Sequence, residues 1–345
     1  MNIRKSATAL SLAAASLLAA APAAAEALKV VATFSIIADY ARQVGGERIA
    51  LTTLVGPGSD AHVYEPKPAD AAAVGHADLV LANGLNFEGF LQRLVQASGS
   101  KAQVVTLTRG VKPMRSAEEE RGHGHGHDHA HDHDHAHNHD HAHDHEHGHD
   151  HKHDHGHDGG HSHGGHHHGP DDPHAWQSVA NAQIYVKNIA DAFCKADAAG
   201  CGAYRANAQA YTQRLQALDA ELKAVVAQIP KDRRTIITSH DAFGYYGQAY
   251  GFRFLAPQGL STDAEASASD VAALVTQIRQ QKAAALFTES ISNPRLIRQI
   301  SEETGLAQGG QLYSDSLSDA NGPASTYIDM MRHNTETIRK AILGR

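Results

Sequence analysis

The sequence predicts an α/β protein of two halves, each a parallel sheet with helices on both faces, joined by one long α-helix. Three observations carry this. Short runs rich in Val, Ile, Leu and Thr alternate with helical patterns of roughly ten to fifteen residues, the order that builds parallel sheets. The alternation runs once ahead of residue 110 and resumes after residue 230. Between them, a helical pattern from Tyr204 to Gln228 spaces Leu215, Leu218, Leu222, Val225 and Val226 along one face until Pro230 stops it.

In chain order, Leu28–Thr33 is a strand and Ser35–Val44 a helix that ends at Gly45 and Gly46. Ile49–Val55 is the second strand, broken by Gly56-Pro57-Gly58. A short helix follows Pro68, then come strand Asp78–Leu81, helix Phe87–Gln96 and strand Gln103–Leu107. After a long insertion the pattern resumes with a helix at about Gln177–Lys195. The second half reads as strand Thr235–Thr238, helix Ala242–Tyr250, strand Phe252–Leu255 and helix Ser269–Gln281. Strand Ala284–Thr288, helix Pro294–Thr304, a weaker strand before Tyr313 and a final helix Tyr327–Ile342 complete it. The resulting division is a leader at 1–25, an N-terminal lobe at 26–200, a linking helix at 201–229 and a C-terminal lobe at 230–345.

The insertion, about 117–171, holds 23 of the chain's 28 histidines between Gly122 and Gly169, most alternating with Asp, Gly or Ala. It lacks the Leu, Ile, Val and Phe needed to offset the entropy of an ordered backbone, so it reads as a disordered loop. What it offers is imidazole, close to neutral at pH 7 and interleaved with carboxylates, which suits Zn²⁺ and neighbouring first-row ions. An expression tag would be short, uniform and terminal; this tract is long, mixed and internal. Residues 117–172 carry a formal charge of −12 against −8 for the whole chain, so the acidity belongs to the tract. No basic stripe or basic–aromatic interleaving points to nucleic acid.

Arg4 and Lys5, the apolar run Ala7–Leu18 and Ala23-Ala24-Ala25 form a secretory signal with cleavage after Ala25. No cysteine follows to take a lipid, and no later window approaches the roughly 20 apolar residues of a membrane helix. The expectation is an exported protein, not embedded in a membrane, in a Gram-negative periplasm. In that oxidising compartment Cys194 and Cys201, which bracket a turn, read as a disulfide, with a dithiolate metal site as the competing reading.

Outside the tract stand His62, His76, His174, His240 and His333. A lone histidine is usually solvated or satisfied in a core. His62 lies in the Gly/Pro turn after a strand, His174 just before a helix, and His240 at the end of a strand. Ligand groups of parallel α/β sheets gather outside the strands' carboxyl ends, so these three read as a joint metal site. Asp315 occupies the equivalent place after the last strand, while His76 and His333 read as solvated bystanders.

Four motifs carry a resemblance. Gly58-x-x-x-His62-x-Tyr64-Glu65-Pro66, Asp172-Pro173-His174-x-Trp176, Ser239-His240-Asp241-Ala242-Phe243 and Asp315-Ser316-Leu317-Ser318 resemble, in order and spacing, the ZnuA-like metal-binding proteins of bacterial ABC importers, the cluster A-I or cluster 9 solute-binding proteins. The likeness runs from about Leu28 to Arg345 and misses only the tract. It implies two (β/α)₄ lobes bridged by one long helix, with metal in the interlobe cleft and delivery to a permease driven by a cytoplasmic ATPase. It also implies His62 and His174 as ligands from the first lobe, with His240 and Asp315 from the second. The manganese branch resembles this one but has a carboxylate where His240 stands. Some zinc-specific members associate a glutamate beside the first histidine with the site; here Ala61 stands there and Asp60 lies one residue further back. Glu65 and Asp241 read as groups that orient imidazoles, and Glu289 as cleft lining or an ion-pair partner.

Three imidazoles and one carboxylate form a borderline, four-coordinate set that favours Zn²⁺ over the harder Mn²⁺. The reading is therefore capture of periplasmic Zn²⁺ by a monomeric receptor, with small lobe motions and no bond-making chemistry. Its rivals are a manganese receptor, a metal buffer in which the tract does everything, and a zinc hydrolase. The last is opposed by the fourth protein ligand and by the absence of H-E-x-x-H. The tract could concentrate metal near the cleft, sense high zinc, dock a periplasmic metallochaperone or store metal.

Overall fold

The structure, a computed structural model, describes residues 26–115 and 171–344. The expectations for the leader and for the histidine-rich insertion lie outside the described residues.

In the first half β1 (Leu28–Phe34) pairs in parallel with β2 (Ile49–Val55) and β3 (Leu79–Ala82), and β3 pairs with β4 (Gln103–Thr106). The order is β2-β1-β3-β4, linked by helices α1 (Ser35–Gly45), α2 (Pro68–Gly75) and α3 (Leu91–Ser98). The central strands β1 and β3 are almost wholly buried, as expected of strands covered on both faces. Helix α3 starts at Leu91, later than the periodicity predicts. The buried carboxylate of Glu88 accepts the N–H groups of Asn83 at 2.6 Å and Gly84 at 3.1 Å and the Thr33 hydroxyl at 2.7 Å. That holds 83–90 as a turn, in which Leu85 and Asn86 take left-handed φ values of 53° and 59°.

Two antiparallel-running helices follow, α4 (Val179–Ala196) and α5 (Cys201–Val226). A disulfide between Cys194 and Cys201 closes the turn between them, where the Asp197 carboxylate accepts Gly200 N–H and pairs with Arg48 at 2.9 Å. Helix α5 buries Tyr204, Ala208, Tyr211, Leu215, Leu218, Leu222 and Val226, one stripe at helical spacing that packs against α1 and α4.

The second half repeats the first. β5 (Thr235–Ile237), β6 (Arg253–Leu255), β7 (Ala285–Glu289) and β8 (Gln308–Leu312) form a parallel sheet of order β6-β5-β7-β8. Helices α6 (Gly244–Tyr250), α7 (Ala268–Gln281), α8 (Arg295–Thr304) and α9 (Tyr327–Leu343) cover it. Ser267 caps α7 and Thr326 caps α9, each accepting the N–H of an Asp three residues on. Gly305 ends α8 in the left-handed conformation, φ 73°, that costs a β-carbon least.

The apolar core is divided unevenly. One continuous cluster fills the first lobe and runs on through α5 to Phe287, Leu312 and α9 of the second. A smaller one, including Ile237, Leu274, Leu286 and Ile297, lies under α7 and α8. Polar contacts reinforce the junction: Trp176 Nε1 and Gln177 Nε2 both donate to Ser314 O, at 2.9 and 2.7 Å, and Tyr327 N–H donates to Asp39 Oδ2 at 3.0 Å. Among the described residues no helix is long and apolar enough to cross a membrane.

Candidate metal centre

Three of the four groups of the candidate site follow a strand at its carboxyl end, the fourth precedes a helix, and the junction of the lobes brings them together. His62 lies in the loop after β2, His240 three residues beyond β5, and Asp315 three beyond β8. His174 precedes a single 3₁₀ turn, Ala175–Gln177, that leads into α4. One ligand atom from each of His62, His174, His240 and Asp315 can be chosen so that all lie within 4.8 Å of one another. Their side chains are fully enclosed.

Several of the separations approach those of a coordination set. Asp315 Oδ2 is 3.2 Å from His62 Nε2 and 3.1 Å from His240 Nε2; His174 Nε2 is 3.4 Å from His62 Nε2 and 3.7 Å from Asp315 Oδ1. A tetrahedron with bonds of about 2.0–2.1 Å has edges of roughly 3.3–3.4 Å. Asp315 Oδ1 is buried with no hydrogen-bond partner, an arrangement a bound cation would relieve.

Carboxylates behind the imidazoles aim them. Asp172 Oδ1 accepts the backbone N–H of His174 at 2.9 Å and lies 2.8 Å from its Nδ1, leaving Nε2 for the centre. Glu289, at the end of β7, does the same in the second lobe. Its Oε1 accepts the N–H groups of Ser239 at 2.7 Å and His240 at 2.9 Å, and its Oε2 lies 2.7 Å from His240 Nδ1. Such partners fix tautomer and ring orientation. Asp60 stays outside the group: its Oδ1 accepts His62 N–H at 2.9 Å and its Oδ2 accepts the Thr262 hydroxyl at 2.5 Å. Phe87 and Trp176 wall the site, with ring centroids 4.8 Å from His62 and 5.3 Å from His174 respectively.

Burial alone would lower the His240 pKa, but the Glu289 and Asp315 carboxylates outweigh it and hold the imidazole well above its ordinary value. Burial likewise opposes ionisation of Asp315, yet the imidazoles of His240 and His174 keep it well below the usual carboxylate range. His240 and Asp315 therefore favour each other's charged form across 3.1 Å, a pairing that a cation bound here would displace.

Of the other residues the sequence singles out, Glu65 is exposed, and Asp241 donates its backbone N–H to Gly259 O at 3.1 Å. His76 Nδ1 lies 2.7 Å from Ala72 O and His333 Nε2 3.1 Å from Gln311 O, both away from the centre. The orienting role of Asp172 and the wall formed by Phe87 were not read from the sequence. A signal for Asp172 was present, since Asp60-Ala61-His62 and Asp172-Pro173-His174 both place Asp two residues before His, the spacing of an Asx turn.

Two parallel α/β lobes with a closed set of three imidazoles and a carboxylate at their junction define a metal-binding solute receptor. The chain belongs to the family described as zinc-uptake complex component A, periplasmic (ZnuA), whose model matches residues 30–341. It is 31% identical over 312 residues, 90% of this chain and 87% of the relative, to the manganese-binding lipoprotein MntA of Halalkalibacterium halodurans. It is 30% identical over 91% of its length to the manganese ABC transporter substrate-binding lipoprotein PsaA of Streptococcus anginosus, covering 89% of that protein. The solved structure of the periplasmic zinc binding protein TroA from Treponema pallidum superposes with a TM-score of 0.73 at 29% identity, over 91% of this chain and 98% of that one. The protein is accordingly a metal-binding substrate-binding protein of an ABC transporter, and not an enzyme.

Proposed function

We propose that this receptor captures Zn²⁺ in the periplasm, at His62, His174, His240 and Asp315, and hands it to a membrane permease driven by a cytoplasmic ATPase. The observation that carries the reading is the buried Asp315 carboxylate facing three imidazoles, with Oδ1 lacking a hydrogen bond. Three nitrogens and one oxygen suit a borderline cation that accepts four-coordination, and four protein ligands are the pattern of closed rather than catalytic zinc sites. Capture exchanges hydration water for protein donors. Because the donors come from both lobes, occupancy is coupled to how the lobes sit together, which gives the permease a difference to read.

A second reading is a manganese receptor, favoured by the manganese named in the MntA and PsaA relatives. Thermal denaturation with each metal separates the two. A ligand at a hundred times its Kd stabilises by about 2.7 kcal/mol. The zinc reading expects Zn²⁺ to raise the midpoint further than Mn²⁺ at equal free concentration, with the difference lost in His240→Ala. A larger rise with Mn²⁺ would establish the second reading.

A further inference from the structure

The two chain ends that flank residues 116–170 meet in a short antiparallel pairing. Asp172 N–H donates to Met114 O at 2.8 Å, and Arg115 bridges Asp171. One side chain from the opposite lobe holds both ends. The buried hydroxyl of Tyr245, on α6, accepts Met114 N–H at 3.0 Å and donates to Asp172 O at 3.1 Å. The neighbouring Gly244 lies so close that a β-carbon there would come 2.7 Å from Asp172 Oδ2. Asp172 is the residue whose other oxygen aims His174.

We propose that Tyr245 is a positioning residue for metal binding: by fixing Met114 and Asp172 together it holds the carboxylate that presents His174 Nε2 to the ion. This rests on the reading of His174 as a ligand. The chain of contact runs from α6 of the second lobe, through Asp172, to a ligand of the first. The grip on His174 is therefore set by the lobe it does not belong to. A cavity of about 340 Å³, bordered by Lys112, Met114, Asn181, Lys223, Tyr245 and Gln248, lies beside this contact. It leaves the paired ends room to shift once the hydroxyl bonds are cut.

The test uses the full chain loaded with one equivalent of Co²⁺, whose intense visible bands report a four-coordinate site, and follows release to excess chelator. Tyr245→Phe should keep the bands and release metal roughly tenfold faster, the scale of losing an orienting partner. Gly244→Ala, which displaces the Asp172 carboxylate without touching the tyrosine, should act in the same direction. Tyr246→Phe, beside Tyr245 on α6, is the control: it removes a buried hydroxyl that bonds Thr335 of α9 at 2.8 Å, and should leave release unchanged. Wild-type release from both Tyr245→Phe and Gly244→Ala, or equal acceleration by Tyr246→Phe, overturns the proposal. His174→Ala is read separately. Loss of the intense bands upholds His174 as a ligand, whereas their survival overturns the site reading and this proposal with it.

Discussion

His240 directs Nδ1 to Glu289 Oε2 at 2.7 Å and Nε2 to Asp315 Oδ2 at 3.1 Å, so one imidazole is held between two buried carboxylates. Only the second faces the other histidines. The first anchors the ring and, through Oε1, the backbone that carries it.

Glu289→Gln separates those tasks. The amide oxygen still accepts the two backbone N–H groups, so the fold should persist, but the amide nitrogen cannot accept a proton from Nδ1. Zinc affinity, measured by competition with a chromophoric chelator, should fall tenfold to hundredfold. An unchanged affinity would mean that Glu289 serves the backbone alone.

The same pair sets the pH dependence. His240, raised above its ordinary 6.5, stabilises the metal-free protein fully below about pH 6.5, and that contribution is lost as pH rises through its folded value. Asp315, depressed below 3.8, contributes above about pH 3.8 and is lost as pH falls through its folded value. Metal needs the His240 nitrogen free, so loading at neutral pH should release about one proton and weaken steadily on acidification. Calorimetry in two buffers of different ionisation enthalpy counts that proton. Denaturation of metal-free and loaded protein between pH 5.5 and 8 should show the gap between them widening with pH. A constant gap contradicts the assignment.

Exchanging the imidazole for a carboxylate tests selectivity. His240→Glu replaces a nitrogen donor with a harder oxygen and should shift preference from Zn²⁺ toward Mn²⁺ by tenfold or more, on the order of 1.4 kcal/mol. Parallel titrations with both ions read the ratio, and a ratio that does not move removes His240 from the selectivity argument.

Stability away from the site should separate from binding. Leu218 is fully buried on the α5 stripe, and Leu218→Ala should cost about 2–5 kcal/mol in chemical denaturation of the metal-free protein. Zinc affinity should change little, because none of the four candidate ligands lies on α5. A large affinity loss would reveal that the helix strains the site directly.

Much of this was legible in the sequence because it depends on local pattern. The apolar runs of β1 and β3 and most of the α5 stripe follow from short-range periodicity and appear where it predicts them, whereas α5 ends at Val226, two residues short of the predicted Gln228 and ahead of Pro230. The start of α3 was misread because Glu88 takes up the Asn83 and Gly84 N–H groups, a contact that competes with helix and leaves no periodic trace. At the site, the positions of His62, His240 and Asp315 after strands and of His174 before a helix could be seen as a pattern. Their partners were harder. Glu289 is 49 residues from His240 and meets it only because β5 and β7 are neighbours in the sheet. Tyr245 acts across the lobe junction, which no local pattern encodes.

The most direct test is anomalous scattering at the zinc edge from crystals of the protein loaded with one equivalent of Zn²⁺. The expected result is a single strong peak about 2.0–2.2 Å from a nitrogen of His62, His174 and His240 and an oxygen of Asp315. A peak elsewhere, with these four side chains still at hydrogen-bond distance from one another, would contradict the site.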